Sequence, residues 1–316
     1  KVLGKSDDPK VRVLSLAMSM DVRADFPDEV QAEAQGIPEE IPEQTIQQRR
    51  DLRDHPIFTI DPVDAKDFDD AVHVLEKDNG NLEIGVHIAD VSHYVEPDTA
   101  IDAEAFERAT SVYLVDRTIP MLPEKLSNKV CSLRPHEDKL AFSVIMEVTK
   151  SGKVVDYDIA ETVIHSKQRL TYDEAQTYID GGYPDDEVAS HVVAANRIAK
   201  TLTKKRMREG SIDFGSDEVR VILDDAGNPT DIIRKQRKPA NRLIEELMLL
   251  ANKTVARHIG APNEDNGINT NGRYSHRDEP LPFVYRVHDK PDAEGIQKLS
   301  EYVQVFGYEL PLTNGT

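Results

Sequence analysis

Residues 61–70, DPVDAKDFDD, hold five aspartates against one lysine. Carboxylates this close repel one another, and keeping them all ionised calls for a strong positive counter-charge. A hard divalent cation with its preference for oxygen ligands supplies one. The stretch lies between two apolar, strand-like runs, residues 55–60 and 71–75. This arrangement constrains the fold. On one continuous strand the adjacent Asp69 and Asp70 would point to opposite faces, so the backbone must turn for them to converge. A loop between two strands brings Asp61, Asp67, Asp69 and Asp70 to one place. That pattern reads as a metal-dependent active site holding Mg²⁺, or Mn²⁺, on carboxylates, the kind of site that polarises a phosphate and activates water.

Other readings of the stretch fare worse or stay open. A helix–loop–helix calcium loop needs glycine at its sixth position and glutamate at its twelfth. Counted from Asp61 those positions are Lys66 and Val72, and counted from Asp67 they are Val72 and Lys77. Neither register works. A solvated acidic turn without a cation is the plain alternative.

Composition bounds the class. The chain has 316 residues, 39% of them hydrophobic, enough for one large or two smaller domains. No apolar run approaches the ~20 residues that span a bilayer, and no signal-peptide pattern opens the chain. The single cysteine, Cys131, excludes an intrachain disulfide framework and fits a reducing, cytoplasmic compartment. Its apolar neighbourhood reads as a buried structural thiol. The net charge of −19 argues against a surface that grips nucleic acid, but less against a channel where local charge governs.

The chain divides into two parts. Residues 1–48 read as a helical lead-in with an acidic, Pro-punctuated linker over 36–43. Residues 49–316 read as the catalytic domain. Strands are predicted over 56–61, 71–76 and 82–89, with a hairpin turn at 77–81. A second hairpin joins 140–149 to 153–165, and a third joins 217–223 to 230–234. Short strands are expected over 111–115 and 283–287. Helices are predicted over 14–20, 99–109, 172–179, 186–209, 240–259 and 291–306. The helix at 240–259 has Pro239 near its first turn and Gly260 after its end. Residues 261–282 read as a polar surface insertion. Strands and helices mix without regular βαβ alternation, so the fold class is α+β, with a mixed or antiparallel sheet packed against helices.

Several blocks, in this order, resemble one family. They are TIDPVDAKDFDDA (59–71), VHIADVSHYV (86–95), TIPMLPEKLS (118–127), CSL (131–133), GSIDF (210–214), NRLIEELM (241–248) and YRVHD (285–289). Together they resemble the RNase II/RNase R exoribonucleases, the RNB domain, and the RNase R branch most. The resemblance implies that Asp61, Asp67, Asp69 and Asp70 are the metal-binding and catalytic set, with Asp64 a solvated neighbour. It implies that cleavage depends most on Asp69. It also implies that Tyr113 and Phe214 clamp nucleotides at the RNA 3′ end and that Glu245 contacts RNA near the cleaved end. Taken alone, the two rings read as core residues and Glu245 as a solvated helix residue. Glu245 and Glu246 flank one apolar arc on their helix, and spacing does not choose between them. His87, His93 and Tyr94 read as structural.

The implied activity is processive 3′→5′ hydrolysis of single-stranded RNA to nucleoside 5′-monophosphates by a monomeric, Mg²⁺-dependent enzyme. Family members also carry flanking OB-type domains and a Ser-Pro-Ile-Arg block whose arginine stabilises charge at the phosphate. Neither occurs in this chain. The chain is therefore expected to be part of a longer protein, with low activity by itself. The alternative is a non-catalytic RNA-binding protein on the same scaffold. A simple metal-binding protein is a third reading.

Overall fold

In the computed structural model, the turn at residues 77–81 sets the register of the sheet's centre. Lys77 N donates to Asn81 O at 2.9 Å, and Gly80 sits at φ +79°, a conformation that favours glycine. The structure describes residues 2–183, 185–213, 219–234, 236–260, 282–284, 287 and 292–310.

The elements run in order α1 (Pro9–Ser19), α2 (Asp28–Gly36), α3 (Glu43–Gln48), β1 (Arg50–Asp51), β2 (Phe58–Asp61), β3 (Asp70–Glu76) and β4 (Leu82–Ala89). Next come α4 (Ala100–Arg108), β5 (Val112–Tyr113), β6 (Thr118–Ile119), β7 (Asp138–Val148), β8 (Val154–His165) and β9 (Gln168–Thr171). Then follow α5 (Tyr172–Ile179), α6 (Ala189–Arg208), β10 (Val219–Leu223), β11 (Pro229–Arg234), α7 (Pro239–Gly260) and α8 (Ala293–Gln304).

Seven strands form one mixed sheet in the order β1-β8-β7-β4-β3-β2-β9. The central pairings are antiparallel, while β1 joins β8 and β9 joins β2 in parallel. Side chains alternate across the strands, so the sheet has two buried faces. On one, Phe58, Ile60, Val72, Val74, Ile84, Val86, Val144 and Met146 pack against α5, α6 and α7. On the other, Ile57, Ala71, Ala89, Ala141, Ile145 and Ile164 meet Val30 and Ala34 of α2, Ile101 of α4, and Leu126, Cys131 and Leu133. Each fully buried large side chain contributes roughly 1.5–3 kcal/mol. The α+β architecture is as expected.

Differences from the sequence reading are local. Residues 28–36 form a helix where no element was predicted. Val30 and Ala34, one helical turn apart, face the core and supply the packing that such a short helix needs. The 36–43 stretch does connect two helices, and it is tied down because Lys125 Nζ donates to Gln35 O and Ile37 O, each at 2.7 Å. Strands β1, β6 and β9 were not predicted. Phe283 and Val284 belong to no regular element, and most of the 261–282 stretch lies outside the described residues.

Candidate active site at the β2–β3 loop

Asp61 is the last residue of β2 and Asp70 the first of β3, so the acidic loop 62–69 is the connection between two neighbouring strands. The loop is anchored from the side. Phe68 N donates to Ser132 Oγ at 3.0 Å, Ser132 Oγ donates to Lys66 O at 3.0 Å, and Leu133 N donates to Phe68 O at 2.8 Å. Asp69 O accepts from Ala89 N at the end of β4. The CSL block thus holds the aspartate loop in place.

The carboxylates pay an electrostatic penalty together. Asp61 is 7% exposed and its carboxyl is pushed up to about 7. Burial is the largest cause, and the charges of Asp70 and Asp67 add to it. Thr59 Oγ1 opposes it by donating to Asp61 at 2.6 Å. Asp70 is pushed up to about 6 by burial and by Asp69. Asp69 is raised by burial and by Asp67. The four predicted ligands are thus linked by charge, Asp61 to Asp70 and Asp67, Asp70 to Asp69, and Asp69 to Asp67. Their donors are all oxygen, and bringing several half-buried carboxylates to full ionisation favours a cation among them. The residues fit a hard divalent metal such as Mg²⁺ or Mn²⁺ in donor type and charge. Asp64 stands apart, 68% exposed and 3.4 Å from Arg220.

Two neighbours of the cluster carried no signal in the sequence reading. Arg169 lies on β9, which pairs with β2 in register Asp61↔Thr171. Its charge lowers the Asp61 carboxyl, its guanidinium donates to Pro62 O, and its carbon Cζ stands 5.4 Å from the centre of the Phe68 ring. Its Nε is buried without a hydrogen-bond partner. Tyr172 opens α5 directly after β9. A capping box sets that junction: Thr171 Oγ1 accepts from Glu174 N at 3.1 Å, and Glu174 accepts from Thr171 N at 2.7 Å. The Tyr172 phenol is pushed up to about 12 by burial and by Asp70 and Asp61. The Thr171-x-x-Glu174 pattern was visible in the sequence. The parallel pairing that brings it to Asp61 was not.

Tyr113 closes the site from another side. It lies in the β5–β6 hairpin with its side chain 71% exposed. Its phenol is raised by burial of its hydroxyl and by Asp67 and Asp69, with Asp67 also a hydrogen-bond partner. The hydroxyl points to the carboxylates while the ring remains available for contact, so Tyr113 is no core residue. Phe214 lies outside the described residues. Its neighbour Asp213 is held by Arg237 at 3.1 Å and Arg242 at 2.7 Å.

The structure separates the two glutamates of α7. Glu246 is 3% exposed and accepts from Arg206 at 2.6 and 3.0 Å and from Thr203 at 3.0 Å. Glu245 is the more open one, paired with Arg206 at 3.3 Å and with Arg237. Through Arg237 it shares a cation with Asp213, so the 210–214 block and α7 meet there. Cys131 is buried, and its thiol is pushed up to about 12 by burial, which leaves it a core residue.

The chain is similar to known proteins over nearly its whole length. The RNB domain family matches residues 49–314. Ribonuclease R of Thermotoga maritima is 43% identical over 316 residues, covering 97% of this chain and 42% of that protein. Ribonuclease R 1 of Lactococcus lactis is 41% identical over 318 residues, covering 99% of this chain and 37% of that protein. Mycoplasma genitalium RNase R, solved in complex with ribose-methylated single-stranded RNA, superposes with a TM-score of 0.86 at 29% identity. That match covers 99% of this chain and 47% of the solved one. Yeast Ssd1, a pseudonuclease, shares the fold at a TM-score of 0.72 and 19% identity, covering 99% of this chain and 37% of that one. The chain spans less than half the length of each of these proteins. An acidic strand-to-strand loop, the ordered blocks around it and these matches lead to one conclusion: the chain belongs to the RNB domain family.

Proposed function

We propose that this chain is the aspartate-bearing part of a 3′→5′ exoribonuclease that hydrolyses single-stranded RNA processively to nucleoside 5′-monophosphates. The observation that carries this reading is that Asp61, Asp67, Asp69 and Asp70 lie on or at the ends of one anchored loop, near enough for their charges to act on one another, with the exposed ring of Tyr113 beside them. The fold alone would not choose between a nuclease and a non-catalytic relative. A complete set of four carboxylates favours the nuclease.

In this reading the four aspartates hold Mg²⁺, with Mn²⁺ as a substitute, and the bound ion supplies charge stabilisation at the phosphate and an activated water. The Thr59 hydroxyl fixes the Asp61 carboxylate, and the Ser132 anchor fixes the loop that carries Asp67 and Asp69. Arg169 offsets part of the negative charge, which eases approach of a phosphate. Tyr113, together with Phe214, stacks on bases at the 3′ end, and base–aromatic stacking contributes ~1–3 kcal/mol per base. Glu245 contacts the RNA near the cleaved end. The enzyme works as a monomer in the cytoplasm, in keeping with its single free, buried cysteine. Among the described residues no helix is long and apolar enough to cross a membrane.

The test is decay of a 3′-labelled single-stranded RNA, with and without Mg²⁺, by this chain and by the full-length protein side by side. Labelled mononucleotide should appear first, only with Mg²⁺, and not in the full-length Asp69→Asn variant. Undiminished decay by that variant overturns the reading. RNA that is bound but left intact by the unsubstituted full-length protein replaces it with the non-catalytic one.

A further inference from the structure

Six polar side chains scattered between residues 55 and 162 meet across the four central strands, away from the aspartate loop. His73 and His87 are 0% exposed, as are Ser143 and Thr162. His73 Nδ1 lies 2.9 Å from His87 Nε2, His87 Nδ1 lies 2.7 Å from Ser143 Oγ, and Ser143 Oγ lies 2.6 Å from Thr162 Oγ1. Thr162 Oγ1 donates to Ala141 O at 3.1 Å. At the other end, His73 Nε2 is 3.4 Å and His55 Nε2 is 3.7 Å from Glu83 Oε1.

Burial keeps both rings neutral, and two proton arrangements then satisfy this relay. In one, Thr162 donates to Ala141 O, Ser143 to Thr162, His87 Nδ1 to Ser143 and His73 Nδ1 to His87 Nε2, which leaves the His73 Nε2 lone pair facing the Glu83 carboxylate. In the other, the protons run the opposite way and His73 Nε2 donates to Glu83. A cation between His73 Nε2 and Glu83 selects the first arrangement.

The surroundings have the makings of a metal site. One ligand atom from each of His55, His73 and Glu83 lies within 4.8 Å of the other two. Two imidazoles and one carboxylate are a set that zinc accepts, with a fourth position left to solvent. The His55 and Glu83 side chains are 26% and 24% exposed, which gives an ion a way in. A ligating imidazole whose second nitrogen donates inward, through a fixed relay, is the usual support for such a site. The backbone is shaped for it too. A Cβ on Gly85 would stand 2.2 Å from His73 Cε1 and 2.8 Å from His87 Nε2, so only glycine leaves room for the two rings.

We propose that His55, His73 and Glu83 form a second metal site, distinct from the aspartate loop, that takes a borderline cation such as Zn²⁺ in preference to Mg²⁺. The ion fastens the segment before β2 to the β3–β4 hairpin. Nitrogen ligands favour zinc, cobalt and nickel over magnesium.

The experiment uses the untagged 316-residue chain, stripped of metal and titrated with Co²⁺ alone and then displaced by Zn²⁺. Expected, with excess Mg²⁺ present to occupy the aspartate loop, is one equivalent bound with the visible absorption of four-coordinate Co²⁺. His55→Ala and Glu83→Gln should each weaken binding by about 100-fold or more, beyond the 10–100-fold cost of losing an outer partner. Both positions are partly exposed, and circular dichroism checks that the variants fold. Zn²⁺ should raise the thermal midpoint of the parent chain and not of these two variants. The double variant Asp61→Asn with Asp69→Asn should bind Co²⁺ like the parent. Unchanged affinity in His55→Ala and Glu83→Gln, or loss in the aspartate double variant, overturns the proposal. So does nitrogen NMR showing a doubly protonated His73 with no response to Zn²⁺.

Discussion

The β3–β4 hairpin lies between two groups of candidate metal ligands, built in opposite ways. At one end, where Asp70 pairs with Ile88, stand four aspartates with a single sign of charge. Toward the other end, where Leu75 pairs with Glu83, a carboxylate sits between two imidazoles. Five ladder positions separate those pairs, roughly 16 Å along the strand. Among the described residues, only the His55–His73–Glu83 group gathers three or more candidate ligand atoms within 4.8 Å. No three of the aspartate carboxylates meet that distance. Crowded like charges make a site conspicuous in sequence and loose in space. Alternating partners make one inconspicuous in sequence and tight in space.

The largest effect that would break this comparison belongs to the aspartate end. Asp69→Asn in the full-length protein should lower the RNA degradation rate on the order of 10²–10³-fold, the scale of losing one group that stabilises developing charge. Single-turnover decay measures it, and circular dichroism should be unchanged. At the histidine end, Gly85→Ala should destabilise the fold by about 1–3 kcal/mol, the usual cost of forcing atoms into a filled interior. Urea unfolding of the metal-free chain checks this, and an unchanged midpoint would mean the two imidazoles are not locked in place.

Tyr113→Ala tests the exposed ring between RNA and the acids. It should weaken single-stranded RNA binding by ~1–3 kcal/mol in the full-length protein, with little change in stability. A gain or loss of stability comparable to that in binding would return Tyr113 to a packing role.

The remaining test is the pH dependence of the metal-free fold. Asp61 and Asp70 are raised to about 7 and about 6 in the folded state, from an ordinary value of 3.8. Between those values the folded chain binds more protons than the unfolded one. Their contribution to stability therefore falls as pH rises from about 4 to about 7, then levels off. In a chelator, Asp61→Asn should gain stability relative to the parent at pH 8 and much less at pH 4.5. Mg²⁺ at pH 8 should raise the thermal midpoint of the parent more than that of the variant. A parent-to-variant difference independent of pH would show that Asp61 is not protonated on folding.

Sequence and structure divide along the range of the interactions involved. Hairpins at 77–81 and 149–153 were readable because a turn and its two strands are contiguous. The long helix α7 was readable from Pro239, Gly260 and a sustained apolar period. The aspartates announced themselves by clustering, and Cys131 by its apolar neighbours. Helix α2 escaped because its two buried residues, Val30 and Ala34, gain their meaning only from α4 and the sheet. The burial of Glu246 rather than Glu245 escaped because it depends on where Arg206 of α6 stands.

By itself, then, the amino-acid order determined the strand hairpins, the long helices, the acidic loop and the family. Each of these is written in neighbouring residues, whose spacing and charge act whatever the rest of the chain does. The tertiary structure alone decided that β9 runs parallel to β2. That pairing joins segments more than 100 residues apart, has no local turn to declare it, and brings Arg169 and Tyr172 to the aspartates. It alone decided that His55, His73, Glu83, His87, Ser143 and Thr162 meet in one connected polar chain. Each contact there joins residues of different segments, and no single segment contains that information.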